Sequence, residues 1–127
     1  MGPREPGPPG PAVLVVEDDP GVAALLADVL AGAGYAPTTT DSALGAVALI
    51  RRLRPAVVLL DLGLPYRSGG ALLGDLKADP ATAGVPVLVV SALADALPPA
   101  LRALAAGVVA KPFRPGALLA AVRAARF

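Results

Sequence analysis

The sequence predicts an α/β domain in which one parallel sheet carries helices on both of its faces. Short apolar runs at 13–16, 57–60 and 87–90 consist of leucine and valine, which indicates strands buried on both sides. Between these runs the apolar residues recur at helical spacing, and strand and helix alternate five times along the chain. Such alternation produces a parallel sheet with right-handed crossovers. A length of 127 residues accommodates one domain of this kind.

The first predicted strand, residues 13–16, is followed by a helix with clear start and stop signals. Asp19 is its expected N-cap, Pro20 occupies its first position, and Leu25 belongs to the apolar face that we expect to point inward. The helix should end at one of two glycines, Gly32 or Gly34.

The second strand and second helix follow. Residues 35–39 are rich in threonine, which favours an edge strand. The next helix should be capped by one of three polar residues, Thr40, Asp41 or Ser42. We expect its apolar face to include Leu44 and the helix to end before Pro55.

The second half of the chain repeats the alternation with shorter elements. In chain order we predict a helix at 71–78, a strand at 87–90 that ends at Ser91, a fourth helix at 95–106, a strand at 108–110 that ends at Lys111, and a last helix at 115–125. Pro98 and Pro99 confine the regular part of the fourth helix to the residues that follow them.

Composition excludes several kinds of chemistry. The chain has no cysteine and no histidine, which rules out thiol nucleophiles, Ser-His-Asp triads and metal sites made of these residues. A net charge of +1 and 3% aromatic residues provide no footprint for nucleic acid. No apolar run approaches the roughly 18 to 20 residues that span a bilayer, and the start resembles no signal peptide. We therefore expect a cytoplasmic protein.

Residues 1–11 differ from the rest of the chain. They repeat proline and glycine, which predicts a disordered leader. The domain itself should occupy residues 12–127.

Four of the predicted strands end at residues with reactive or polar groups. In order, these are Glu17 with Asp18, then Asp61, Ser91 and Lys111. In a parallel sheet all four strand ends lie on one edge, where ligands bind. Each residue alone has an ordinary explanation as a cap, a turn residue or a surface side chain. Their joint occurrence favours a functional site built around Asp61.

Three carboxylates on one edge require a cation. Two unit charges 4 Å apart repel by roughly 4 kcal/mol at an effective dielectric near 20. The all-oxygen ligand set suits Mg²⁺, which takes one or two carboxylates together with phosphate oxygens. Lys111 is a point charge suited to a phosphoryl oxygen, and Ser91 adds a hydroxyl donor. This combination fits an acyl-phosphate centre with Asp61 as the nucleophile.

At these residues the chain resembles the receiver domain of two-component response regulators. The matching motifs are Val-Val-Glu-Asp-Asp-Pro at 15–20, Leu-Leu-Asp-Leu-Gly-Leu-Pro at 59–65, Ser-Gly at 68–69, Val-Val-Ser-Ala at 89–92 and Lys-Pro-Phe at 111–113. The resemblance covers residues 12–127. It implies a flavodoxin-like doubly wound (βα)₅ fold, with a five-stranded parallel sheet in the order 2-1-3-4-5.

The resemblance also implies a role for each matched residue. By this resemblance, Asp61 is the phospho-acceptor, Ser91 is the switch hydroxyl and Lys111 binds the phosphoryl group. It also implies that Asp18 binds Mg²⁺ directly, that Glu17 helps through water and that the Gly63 carbonyl completes the metal site. The phosphoryl donor would be a sensor histidine kinase or a phosphotransfer protein. The domain would be a signalling phospho-acceptor rather than an enzyme, although it assists its own phosphorylation and dephosphorylation.

The regulated partner would be an output protein, or an output domain outside this sequence. The sequence ends after the fifth predicted helix, so we expect a stand-alone regulator or one domain of a longer protein. We expect no contact of this domain with nucleic acid or membrane.

Three departures from the family pattern leave other functions open. Val108 stands where receivers usually carry Tyr or Phe, and the segment between Ser91 and Lys111 is shorter than usual. Gly63 leaves space beside the acceptor, which predicts access of water and a short phosphorylated lifetime. The alternative is a degenerate receiver that acts as an unphosphorylated interaction module. An aspartate-nucleophile phosphohydrolase would usually have a second acid where this chain has Gly63, and a flavin-binding protein would need more aromatic residues.

Overall fold

The computed structural model describes residues 10–64 and 68–126. Most of the predicted leader, together with Pro65, lies outside the described residues. The described chain forms one sheet with helices on both faces, as predicted.

The sheet has five parallel strands in the order β2-β1-β3-β4-β5, which confirms the predicted topology. The strands are β1 Ala12–Val16, β2 Ala36–Thr40, β3 Val57–Leu60, β4 Val87–Ser91 and β5 Gly107–Ala110. Residues of β1, β3 and β4 are almost entirely buried, as expected of strands covered on both faces. The edge strand β2 is partly exposed and carries the threonines.

Five helices connect or follow the strands. They are α1 Pro20–Gly32, α2 Ala43–Leu53, α3 Gly69–Ala78, α4 Pro99–Arg102 and α5 Pro115–Ala125. Three of them begin at polar N-caps whose side chains accept backbone N–H bonds: Asp19, Ser42 and Ser68. A cap of this kind contributes about 1 kcal/mol, so local sequence determines where these helices start.

The fourth helix is much shorter than predicted. Instead of continuing to Ala106, it consists of the single turn Pro99–Arg102, preceded by a 3₁₀ turn at Ala94–Ala96. Proline at the start prevents an earlier helical turn from joining it. At the other end the Ala106 N–H donates to Val87 O at 2.8 Å, so the chain has already joined the sheet. Pairing with β4 therefore outcompetes further helix.

The core forms two layers, one on each side of the sheet. One layer packs α2 and α3 against the sheet through residues such as Ile50 and Leu73, and the other packs α1 and α5 through residues such as Leu30 and Leu118. The prediction that Leu44 faces inward is wrong, because this side chain is 88% exposed.

Small residues share the inner faces of the first two helices with the larger Leu26, Leu30 and Ile50. Ala43 and Ala46 of α2 and Ala23 of α1 are buried, whereas Leu25 of α1 is 51% exposed, so its predicted burial is also wrong. The helical repeat that turns positions 23, 26 and 30 of α1 and 43, 46 and 50 of α2 toward the sheet leaves Leu25 and Leu44 on the solvent side. Among the described helices, none is both long and apolar enough to cross a membrane.

Candidate functional site

The predicted site residues lie together at the carboxyl-terminal edge of the sheet. Backbone pairing sets their positions: the Asp61 N–H donates to Val16 O at 3.0 Å, directly before Glu17. The Lys111 N–H donates to Ser91 O at 3.1 Å. The ends of β1, β3, β4 and β5 therefore deliver their side chains to one place.

The carboxylates form a compact group. Oxygens of Glu17, Asp18 and Asp61 lie within 4.8 Å of one another. Glu17 is buried, Asp61 is partly buried and Asp18 is exposed, so the group opens to solvent on the Asp18 side. Three carboxylates this close repel one another strongly unless cations neutralise them.

Lys111 provides one of these cations. Its ammonium donates to Glu17 Oε1 and lies 3.6 Å from Asp61 Oδ2. The lysine thus lies between two of the three carboxylates, and its own side chain is mostly buried. The peptide bond that follows it, Lys111–Pro112, is cis.

The surroundings shift the pKa values of the Glu17 and Asp61 carboxyl groups in opposite directions. Burial, together with the neighbouring Asp61 side chain, raises the pKa of Glu17 to about 7, although Lys111 acts against this rise. Burial alone would also raise the pKa of Asp61. The neighbouring side chains of Glu17 and Ser91, with the Gly63 N–H, outweigh burial and lower the pKa of Asp61 below its ordinary value, and Lys111 adds to this effect. Of these two groups, Asp61 therefore remains ionised more readily.

The residues present fit a divalent metal ion. Glu17 is only 3% exposed. Among the described residues, its Oε2 is a buried side-chain oxygen without a hydrogen-bond partner. A buried carboxylate oxygen of this kind is costly unless water or a cation satisfies it. Hard oxygen ligands with one open side suit Mg²⁺. Asp18, on the open side, and Asp61 offer oxygens for direct binding.

Ser91 connects the two loops around the acceptor. Its side chain is fully buried, and its Oγ accepts N–H bonds from Leu62 at 3.4 Å and Leu93 at 3.0 Å. Because both bonds use the oxygen as acceptor, the hydroxyl proton remains available for donation toward the neighbouring Asp61.

Gly63 lies beside the acceptor, as predicted. Its N–H donates to Asp61 Oδ1 at 3.3 Å. A Cβ at position 63 would lie 3.9 Å from Asp61 Oδ2 and 3.7 Å from a methyl group of Leu93. The space next to the carboxylate is therefore bordered by the half-exposed Leu93 side chain. The effect of this space on phosphorylated lifetime stays a prediction.

Sequence reasoning missed the structural part that Gly69 plays in the site. This glycine is the first residue of α3, and its N–H donates to Leu62 O at 3.0 Å. A Cβ here would lie 2.1 Å from Asp61 O and 2.7 Å from Leu62 Cα. The start of α3 thus lies against the backbone of the acceptor. Glycine directly after the N-cap Ser68 was the available signal.

An apolar surface adjoins the site and was also missed. Val22 and Leu25 of α1, Ala92 and the residues Lys111 to Phe113 line a cavity of about 380 Å³. The signal in the sequence was Leu25, which makes the apolar face of α1 wider than the sheet can cover.

Comparison with known proteins agrees with this geometry. The family model of the response regulator receiver domain matches residues 13–123. The DNA-binding response regulator MtrA of Mycolicibacterium smegmatis is 40% identical over 114 residues, which is 88% of this chain and 49% of that protein. The chain therefore spans about half the length of this curated relative.

Solved structures show the same likeness. A sensor protein from Polaromonas sp. JS666 superposes with a TM-score of 0.87 at 31% identity, covering 92% of this chain and 96% of that one. The receiver domain of the sensor histidine kinase PA1611 from Pseudomonas aeruginosa, which has a magnesium ion coordinated in its active-site cleft, superposes with a TM-score of 0.80 at 27% identity. That match covers 91% of this chain and 97% of the other. Fold, site geometry and family match agree that this chain belongs to the response regulator receiver domains of two-component systems.

Proposed function

We propose that Asp61 accepts a phosphoryl group in a reaction that requires Mg²⁺, and that the phosphorylated domain, residues 12–127, regulates a partner. The observation that carries this proposal is the meeting of the Glu17 and Asp18 carboxylates, Lys111 and the buried Ser91 around the partly buried Asp61 carboxylate. An ionised carboxylate beside a cation site and a lysine has what acyl-phosphate formation needs.

Asp61 is the nucleophile because its low pKa keeps it ionised. Its Oδ atom forms a bond to phosphorus as the bond from phosphorus to the donor breaks, and the donor leaves with its electron pair and takes up a proton. When the donor is a phosphohistidine, the leaving group is a neutral imidazole. The donor protein is then a histidine kinase or a phosphotransfer protein.

The other residues stabilise the charge of the transferred group. Asp18 and Asp61, with the Gly63 carbonyl and with Glu17 through water, would hold Mg²⁺. The ion would neutralise the phosphoryl oxygens when bound. Lys111 can exchange its contact with Asp61 for a phosphoryl oxygen, and the Ser91 hydroxyl can donate to another.

Labelling with acetyl phosphate tests the proposal. We expect the intact mass to increase by one phosphoryl group in the presence of Mg²⁺ and not in its absence. Asp61→Asn should remove the gain entirely because an amide has no nucleophilic carboxylate oxygen. Asp18→Asn should require more Mg²⁺ for the same labelling, whereas Asp41→Asn, an exposed acid outside the carboxylate group, should behave as the wild type.

The outcomes separate the proposal from its alternative. No labelling, together with no binding of beryllofluoride, would support an unphosphorylated interaction module. Binding of beryllofluoride without a mass gain would indicate hydrolysis faster than the measurement.

The surface beside Lys111 suits the donor protein. Leu25 is half exposed next to the partly buried Val22 and Phe113, and the cavity they line includes Lys111 itself. Lys111 both lines this cavity and lies 3.6 Å from Asp61 Oδ2, so a protein docked here would lie close to the acceptor. We therefore propose that the donor docks through this surface.

Replacing Leu25 with glutamate should impair phosphotransfer from a histidine-containing donor at least tenfold, because a charge is then buried at the interface. Labelling by acetyl phosphate should be unchanged, since this small donor needs no docking surface. Leu44→Glu, a change of a more exposed leucine on α2, is the control for the added charge and should affect neither reaction. Equal losses of phosphorylation with the histidine-containing donor and with acetyl phosphate would show that Leu25→Glu damages the phosphorylation site rather than the docking surface.

A further inference from the structure

A second cavity adjoins the carboxylate group on the side of β1 that faces β2. It has a volume of about 570 Å³ and lies between α1 and the end of β2, and we call it the α1–β2 cavity. Of the described residues that line it, three are acidic, namely Glu17, Asp18 and Asp41, and none is basic. Asp61 and Lys111 do not belong to this lining. The cavity is therefore distinct from the space around the acceptor, although the two share Glu17 and Asp18.

Pairing of β1 with β2 brings the three acids together. The Glu17 N–H donates to Thr40 O at 3.0 Å, so Asp41 follows β2 beside the point where Glu17 and Asp18 follow β1. Asp18 and Asp41 are exposed, and neither takes part in an ion pair with another described residue. Carboxylates this close to one another favour the binding of a cation.

Glu17 provides the observation that points to a ligand. Its side chain is almost fully buried, and its Oε1 accepts from Lys111, which lies outside the cavity. Its Oε2 has no hydrogen-bond partner among the described residues. A donor bound in the α1–β2 cavity would satisfy this oxygen, and a cationic donor would also offset the charge of the acids.

The α1 side of the cavity is apolar. It consists of Pro20, Ala23, Ala24 and Ala27. The first N–H groups of α1 do not present an uncovered positive end here, because those of Gly21 and Val22 donate to Asp19 Oδ1 at 2.9 and 3.2 Å. A hydrated metal ion would use the acids and leave this apolar wall uncovered. An aliphatic chain that ends in a cation would use both, as lysine and arginine side chains do on protein surfaces.

We propose that the α1–β2 cavity binds a cationic alkyl group. Its guanidinium or ammonium head contacts Glu17, Asp18 and Asp41, and its aliphatic stem packs on the alanines of α1. The group belongs either to a free amine or to an arginine or lysine side chain of a bound protein. Binding requires neither Mg²⁺ nor phosphorylation, so the inference stands or falls independently of the function proposed for Asp61.

Titration with n-butylguanidinium in the absence of Mg²⁺, followed by amide NMR spectra, tests the proposal. We expect the largest shift changes at Ala24, Ala27 and residues 39–41, on the two walls of the cavity. N-butylurea, a neutral analogue of similar shape, should bind at least tenfold more weakly because it leaves the acids without a cation. Guanidinium without the butyl chain should bind several-fold more weakly because it covers none of the apolar wall.

Two variants change the cavity without touching the acceptor. Asp41→Asn should weaken binding of n-butylguanidinium about two- to fivefold, the factor for one exposed ion pair. Ala24→Leu should weaken it about fivefold or more because the larger side chain fills the cavity, and position 24 is exposed, so the core stays unchanged. Asp28→Asn, a change of an exposed acid of α1 outside the cavity lining, is the matched control and should bind as the wild type.

Three results would overturn the proposal. The first is equal affinity for n-butylguanidinium and N-butylurea, and the second is an Asp41→Asn protein that binds as tightly as Asp28→Asn. The third is a set of shift changes confined to Asp61 and Gly63, which would show that the cation occupies the metal site alone.

Two further probes distinguish the source of the cationic group. Agmatine represents a free amine, and the peptide Ac-Ala-Arg-Ala-NH₂ represents the side chain of a protein. Tighter binding of agmatine would support a free amine as the ligand, and tighter binding of the peptide would support an arginine of a bound protein.

Discussion

Replacing Gly69 with alanine should lower the free energy of unfolding by about 3 kcal/mol or more, a loss typical of severe overpacking. The added Cβ would lie 2.1 Å from Asp61 O, a distance at which backbone must move. Either α3 shifts away from the sheet or the peptide after β3 shifts, and a shift of that peptide displaces the acceptor carboxylate. Loss of labelling by acetyl phosphate should accompany the loss of stability.

Urea unfolding of Gly69→Ala measures this effect, and Gly74→Ala is its control in the same helix. A Cβ at Gly74 makes ordinary contact with Leu101, so alanine should stabilise the helix by about 0.5–1 kcal/mol. A Gly69→Ala protein with wild-type stability and labelling would show that α3 does not constrain the acceptor.

Replacing Lys111 with methionine should slow the labelling of Asp61 by acetyl phosphate roughly 10²–10³-fold, the usual effect of removing one preorganised charge-stabilising donor. The ammonium lies 3.6 Å from Asp61 Oδ2, within reach of a phosphoryl oxygen carried by that carboxylate. Methionine keeps most of the length and apolar volume of the side chain. The loss therefore reports the charge rather than the packing.

In Lys111→Met the affinity for Mg²⁺ should change in the opposite direction to the labelling rate. In the wild type Lys111 donates to Glu17 and approaches Asp61, so it competes with the metal for the same carboxylates. Lys111→Met should therefore bind Mg²⁺ more tightly while it is labelled more slowly. Equal rates of labelling in the two proteins would contradict the role proposed for this lysine.

Local features of the sequence were sufficient to predict most of the fold. Apolar runs marked the strands, and Asp19 and Pro20 marked the start of α1, because a cap bonds within the first turn of its own helix. The strand-end residues Asp61 and Lys111 could be placed on one edge because parallel topology brings the ends of all strands together.

Helix length and helix orientation were predicted less well. The expected fourth helix was reduced to one turn because pairing of Ala106 with Val87 removes its last residues. Leu44 and Leu25 point outward because the helical repeat turns other residues, such as Leu26 and Ile50, toward the sheet. Both outcomes depend on strands far away in the sequence.

The sequence by itself determined the order of strands and helices and the chemical groups at the strand ends, since periodicity, caps and residue identity are local properties. Only the tertiary structure decided that Lys111 pairs with the buried Glu17, that Gly69 lies against the acceptor backbone and that Arg102 holds the 3₁₀ turn. These contacts join residues that are distant in the chain or separated by turns, and ångström-scale packing decides whether they form.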